Sequence, residues 1–266
     1  METCRLKNIA ILILLLLNAV LLLLLGHQHL QARHSAREAD GQLRALYAAG
    51  QLALDDSVDL GQQPLTPLAL VRREETEQAI AASLLGGSAV SASQGGGIYS
   101  YAGDCGTIQF RAGGSFDGSR LTLAVDDITE FARQFCRQFG YEDAVFQIKE
   151  RSGTVTAVQQ VQGVPVAGCG VTLRFDRGVL TAVSGAHVSL EDASPEAGGR
   201  MSCITALVRF LDHRAAAGIV CSEVTGVSCV YELQGGGALR LLPKWQVETD
   251  TYTYFVDCAT GEVSRH

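Results

Sequence analysis

Six histidines and eight cysteines are the residues of this chain best suited to chemistry, and their spacing supports little of it. His27, His29 and His34 fall close together, whereas His187, His213 and His266 stand alone. Imidazole titrates near neutrality, so His27 and His29 could bind a metal or sense pH, but polar residues that close an apolar segment need no such role. There is no H-E-x-x-H, which would set two ligands one helical turn apart, and no G-x-S-x-G nucleophile elbow. The cysteines are scattered singly, without a C-x-x-C pair; free thiols and a partial set of bridges are both compatible with this, Cys221 with Cys229 being one candidate bridge among several. Asp126-Asp127 are read as helix caps, and Asp55, Asp56 and Asp59 as a solvated acidic linker without the glycine bend and terminal glutamate of a calcium loop. Gln94-Gly95-Gly96-Gly97 and Gln234-Gly235-Gly236-Gly237 lack the Lys-Ser/Thr and helix of a phosphate loop and are read as turns. The expectation is a protein that binds or positions a partner, with no catalytic residue, cofactor or metal. An envelope enzyme assembled around Cys169 or His213 stands as an alternative.

The elements that must position these residues begin with Ile9 to Leu25, a run of Leu, Ile, Val and Ala interrupted by Asn18. Extended back to Leu6, the run has about 20 residues and a helical length of roughly 30 Å, enough to cross a bilayer core. Arg5 and Lys7 precede it and no A-x-A-like cleavage site follows. The expectation is an uncleaved single-pass anchor with a cytoplasmic N-terminus and the rest of the chain outside, a secretory signal peptide being the competitor. Asn18 is the one polar residue deep in the run, with Leu14, Leu15, Leu21 and Leu22 as its helical neighbours, and these five are the candidate contact to a partner helix.

Beyond the anchor, 47% hydrophobic and 18% charged residues with a net charge of −7 describe a globular domain without the basic surface that nucleic acid requires. Residues 1–26 are assigned to the cytoplasmic tip and anchor and 27–67 to a helical stalk and an irregular linker, with the folded part starting near Leu68. Three α+β modules are expected over 68–125, 126–200 and 201–266, each a short amphipathic helix followed by antiparallel strands. The helices are placed at about Glu74–Leu85 (Ala79, Ile80, Ser83 and Leu84 on one side), from Asp126 or Asp127 to Phe139 (Ile128, Phe131, Phe135 and Phe139 on one side), and at Ser202–Ala217 (Ile204, Leu207, Val208 and Leu211 inward). Gly86, Gly140 and Gly218 end them, and Asp176-Arg177-Gly178 predicts a tight hairpin.

Three stretches, in this order, resemble the YycH/YycI family of membrane-anchored two-component system regulators of Gram-positive bacteria. They are Arg5-Leu6-Lys7-Asn8-Ile9 leading to Leu17-Asn18; Val71-Arg72-Arg73-Glu74 through Ala79-Ile80-Ala81 to Leu84-Leu85-Gly86; and Leu242-Pro243-Lys244-Trp245-Gln246-Val247 followed by Tyr254-Phe255-Val256-Asp257 and Thr260-Gly261-Glu262-Val263. The run from Gly163-Val164-Pro165-Val166 to Phe175-Asp176-Arg177-Gly178-Val179 is similar to hairpins of PepSY-like domains. The resemblance implies a non-enzymatic regulator at the cell membrane. Its membrane helix and outer domain would act on a sensor histidine kinase governing cell-wall metabolism, with a paralogous regulator as a second partner. A PepSY-like tethered inhibitor or chaperone of an extracellular protease is the rival in the binding class.

Overall fold

A computed structural model describes residues 38–235 and 238–265. It is a mixed α+β structure dominated by antiparallel pairing. Helix α1 spans 38–49 within the described residues and is followed by β1 (Ala53–Leu54) and β2 (Leu68–Leu70). A pattern of one helix and four strands then occurs three times. The first copy is α2 (Glu74–Leu85) with β3 (Val90–Gly95), β4 (Ile98–Gly103), β5 (Gly106–Arg111) and β6 (Ser115–Ala124). The second is α3 (Ile128–Phe139) with β7 (Tyr141–Lys149), β8 (Ser152–Val161), β9 (Val164–Asp176) and β10 (Val179–Ala186). After β11 (Ser194–Pro195), the third is α4 (Cys203–Ala217) with β12 (Glu223–Gln234), β13 (Leu239–Thr249), β14 (Thr253–Asp257) and β15 (Val263–Arg265).

Within each copy, consecutive strands pair antiparallel, as short connections require. The first and second copies join edge to edge through their last strands, β6 and β10. The third joins through a short parallel pairing of Tyr231 and Glu232 in β12 with Val166 and Ala167 in β9. Strand β9 is therefore a fork, bonding β12 near its start and β10 from Val171 onward. Gly185 permits the fork to close, because a Cβ there would stand 2.3 Å from the Gly170 carbonyl oxygen.

Local chemistry fixes the helix ends. The Asp127 carboxylate accepts hydrogen bonds from the amides of Thr129 and Glu130, so α3 begins on one of the two capping residues that sequence indicates, and the Ser202 hydroxyl, expected as the first residue of its helix, instead caps α4 by accepting from the Thr205 amide. The hairpin at Asp176-Arg177-Gly178 forms with φ of 49° at Arg177 and 81° at Gly178, the paired positive values of a two-residue turn that suits strand twist.

Burial differs from the expected stripes. On α2 the buried residues are Glu77, Ile80, Ala81, Leu84 and Leu85, while Ala79 is exposed. On α3, Ala132 and Cys136 join Ile128, Phe135 and Phe139, and Phe131 is only partly covered. On α4, Cys203, Ala206, Leu207 and Phe210 are buried and Ile204, Val208 and Leu211 lie at the margin of the core. Strand β3, which carries little apolar sequence, is exposed along its whole length.

One core runs through the first and second copies, uniting α2 and α3 over the strands from β4 to β10. A second lies under α4 and includes Leu43 and Tyr47 of α1 together with Leu52 and Val58. A smaller seam between them contains Leu70, Val166, Cys169, Val188, Tyr231 and Leu241. The segment 38–67, expected as the end of a stalk and a linker, is thus packed into the fold: the Tyr47 hydroxyl donates to the Leu207 carbonyl at 2.9 Å, and β1 pairs in parallel with β12. The expected anchor lies outside the described residues; among those described, no helix is long and apolar enough to cross a membrane.

Candidate functional site: a cleft at the start of helix α2

Strand β2 delivers the chain through Leu70 and Val71 to Arg72 and Arg73, immediately before α2. Both guanidinium groups are occupied by carboxylates. Arg72 Nε and Nη2 donate to the two oxygens of Glu77 at 2.9 and 2.5 Å, a fork-to-fork pair in which Glu77 is 9% exposed. The Tyr101 hydroxyl, from β4, donates to Glu77 Oε2 at 2.9 Å, and the guanidinium of Arg72 lies 3.3 Å from the centroid of the Tyr99 ring. Tyr99 and Tyr101 are two residues apart on one strand, so the same face of β4 supplies both contacts. Arg73 reaches across to Asp192. Burial, followed by the hydrogen bond to Glu77, holds the Tyr101 phenol well above its ordinary range, so it remains a donor.

Opposite this pair stands His187, the residue after β10. Its backbone amide donates to the Gly114 carbonyl at 3.0 Å, and the next residue is held by Gln159, whose side chain exchanges two hydrogen bonds with the backbone of Val188 at 2.7 and 2.9 Å. The imidazole packs edge-on to Phe139 and tilted against Tyr141. Burial in this aromatic setting lowers its pKa to about 4, so the ring is neutral at physiological pH. Its Nδ1 is buried without a protein partner, as is Nε of Arg73. Both residues line a cleft together with Thr76, Glu77, Phe110, Gly114 and Ser189, with an interior volume of about 30 Å³. That is room for one or two water molecules or a single polar group. Chemically, the cleft can hold such a group between one cationic donor and one neutral imidazole, and its full charges are already paired with each other.

The residues singled out from sequence fall elsewhere. Leu14, Leu15, Asn18, Leu21 and Leu22, as well as His27, His29 and His34, lie outside the described residues. Cys169 is buried in the seam, where desolvation pushes its thiol up to about 12, and His213 sits on α4, so the two do not meet in one core. Asp55 and Asp59 accept hydrogen bonds from the amides of Ser57 and Gly61, and Asp56 pairs with Arg44; these are turn and surface contacts. Gly95, Gly96 and Gly97 form the β3–β4 turn. Among the described residues, no group of three or more His, Cys, Asp or Glu could hold a metal ion. All seven described cysteines are free thiols, and Cys221 faces the Arg214 side chain rather than Cys229. Tyr101 was missed because its partner lies on a different element, whereas Arg72 and Glu77, five residues apart, were within local reach. A glutamate on the buried side of α2 was the available signal.

The chain matches no protein-family profile and no curated protein. An uncharacterized protein from Eubacterium rectale, known from a crystal structure, is similar with a TM-score of 0.46 and 12% identity, over 81% of this chain and 90% of that one. The C-terminal domain of YpeB from Bacillus megaterium is a weak structural neighbour, with a TM-score of 0.32 and 13% identity over 74% of this chain and 98% of that one.

Proposed function

We propose that this chain is a single-pass, membrane-anchored regulator without catalytic activity, whose outer domain and anchor helix modulate a two-component sensor histidine kinase. The observation that carries the reading is the apolar run Ile9–Leu25 with Arg5 and Lys7 before it and Asn18 near its middle. An amide in hydrocarbon gains about 0.6 to 2 kcal/mol from a hydrogen bond to another helix, so Asn18, flanked by Leu14, Leu15, Leu21 and Leu22, suits a helix-helix contact. The mechanism is a population shift. Contacts made by the anchor helix favour one signalling state of the kinase, and the outer domain sets how those contacts are presented. The resemblance to the YycH/YycI family supplies the kinase as the partner class, and the paired charges of the α2 cleft suit recognition better than turnover. The test is co-purification of the full-length protein with candidate kinases from detergent, repeated with Asn18→Leu and with the anchor exchanged for an unrelated one. Reduced association and altered signalling are expected in both variants; unchanged behaviour in both would overturn the proposal.

A PepSY-like tethered inhibitor or chaperone of an extracellular protease is the second reading, and strand β3 favours it. Among the described residues this strand ends the sheet order with one edge unpaired and all six of its residues exposed, a position where an extended partner segment can add as a further strand. On this reading, a fragment beginning at residue 38 binds its target as tightly as the whole protein.

A further inference from the structure

The end of α2 and the start of α3 enclose a groove of about 510 Å³, lined between them by Leu123, Ala124 and Val125 at the end of β6. Leu123 and Phe131 are only partly covered by the core on which they pack. Phe131 reads from its spacing as an inward residue, yet its ring meets Phe175 edge-on at 6.2 Å and also lines the groove. The charges around this apolar surface have one sign. Asp126, Asp127 and Glu130 line the groove, and no lysine, arginine or histidine among the described residues does. The positive end of the α3 macrodipole is answered by Asp127, whose Oδ1 accepts the amides of Thr129 and Glu130. The negative end of the α2 macrodipole reaches the same place without a counter-charge: α3 and α4 carry Arg137 and Arg214 in their last turns, whereas α2 carries no basic residue there. Arg151 reaches the Val125 carbonyl at 2.7 Å without lining the groove. Glu130 meets Arg137 at 3.3 Å, but the two side chains are 62 and 72% exposed, so solvent screens the pair.

We infer that this groove is a docking site for a partner peptide that presents a large apolar side chain beside lysine or arginine. The apolar side chain covers Leu123 and Phe131. The cation supplies the end of α2 with the charge that α3 and α4 find within their own last turns, and the carboxylates of Asp126 and Glu130 attract it from across the groove. An acidic segment meets like charge there, and a purely polar one leaves the apolar surface wet, so selectivity follows from both halves of the site. The volume falls within the roughly 300 to 1,000 Å³ of ligand pockets, and the apolar stem of a lysine or arginine can lie along the same surface while its head stays at the rim. The site is independent of the anchor and of any kinase.

Fluorescence anisotropy with the full-length protein in neutral detergent, against empty micelles as the blank, tests this. The probe is a short fluorescein-tagged peptide with Leu-Phe between two pairs of lysines. Saturable binding is expected, weakened about tenfold when glutamates replace the lysines, when serines replace Leu-Phe, and in Asp126→Lys and Glu130→Lys. Glu75→Lys changes the net charge equally but lies roughly 15 Å away at the other end of α2, beyond the screening length at physiological salt, and should bind as the wild type does. Irradiation of the wild type with a peptide carrying benzoyl-phenylalanine at the aromatic position should place crosslinks between Ala82 and Gly87 or between Asp127 and Gln134. Equal binding of the acidic peptide, a loss in Glu75→Lys as large as in Asp126→Lys, crosslinks confined to other segments, or no saturation at about 1 mM peptide would overturn the inference. The crosslink map decides the matter even where a variant fails to fold.

Discussion

Glu77 concentrates the polar energetics of the first helical copy, because it is a carboxylate on the buried side of a helix and accepts three side-chain hydrogen bonds from two groups, the Arg72 guanidinium and the Tyr101 hydroxyl. Such a pair contributes little relative to an apolar replacement of equal shape, yet removing one member strands the other in low dielectric. Glu77→Ala is therefore expected to cost about 3 kcal/mol, against about 1 kcal/mol for Tyr101→Phe, which removes one neutral donor. Urea unfolding of the two variants measures both. Equal costs below about 1 kcal/mol would mean that the pair behaves as an exposed one. His187 makes the second prediction. Its folded pKa, about 4, lies below the ordinary 6.5, so between these values the unfolded chain takes up a proton that the folded chain refuses. Stability from this group is fully present above pH 6.5 and is lost as pH falls toward 4, by at most about 3 kcal/mol. Arg72, Arg73 and Glu77 share the cleft with the imidazole, so the comparison must be with His187→Gln, whose profile should be flatter over the same range. Superimposable profiles would place the imidazole in contact with solvent.

At the scale of elements, what could be read from sequence depended on whether the signal was local. Helix α2 begins at Glu74 and ends at Leu85 as its apolar spacing and Gly86-Gly87 indicate, and α3 starts from the Asp127 cap, because capping and termination act within one turn. The turn at Arg177-Gly178 was equally legible. The inward face of α4 was not: spacing pointed to Ile204, Leu207, Val208 and Leu211, whereas the strands bury Cys203, Ala206, Leu207 and Phe210. Helix α1 accounts for the difference, since Tyr47 bonds to the Leu207 carbonyl and Gly50 lies beside Leu211; a helix covered on two sides has a wider apolar stripe whose mean direction matches neither contact. Strand β3, Val-Ser-Ala-Ser-Gln-Gly, escaped notice because an exposed edge strand need not alternate, and β1 because two residues carry no period. The α2 cleft was invisible for a different reason. Its walls come from β2, α2, β5 and the segment after β10, and long-range pairing leaves no trace in local spacing.

Across the whole molecule, the three helical copies are not equivalent partners. The first two share one continuous core, while the third is completed from the other end of the chain by α1, Leu52 and Val58 and touches the second mainly through the seam at the β9 fork. This bears on where a soluble fragment must begin. Leu43, Tyr47, Leu52 and Val58 are 3, 1, 2 and 7% exposed, and each large side chain removed from such a site costs about 2 to 5 kcal/mol, so losing all four approaches or exceeds the stability of about 5 to 15 kcal/mol typical of a whole domain. A fragment starting at Leu68 should accordingly leave the third copy unfolded, whereas one starting at residue 38 should retain it. Trp245 is the sole tryptophan, is fully buried in this core and donates through Nε1 to the Met201 carbonyl at 2.8 Å, so its emission reports on the third copy alone. The longer fragment should show blue-shifted emission and a cooperative urea transition, and the shorter one solvent-exposed emission with no transition from the third copy. Matching emission and midpoints in the two fragments would show that α1 contributes nothing to the core. With α1 detached, the proposed anchor would be coupled to the folded part by a slack tether; the packing of Leu43 and Tyr47 beneath α4 predicts instead that the chain following the anchor enters the core of the third copy.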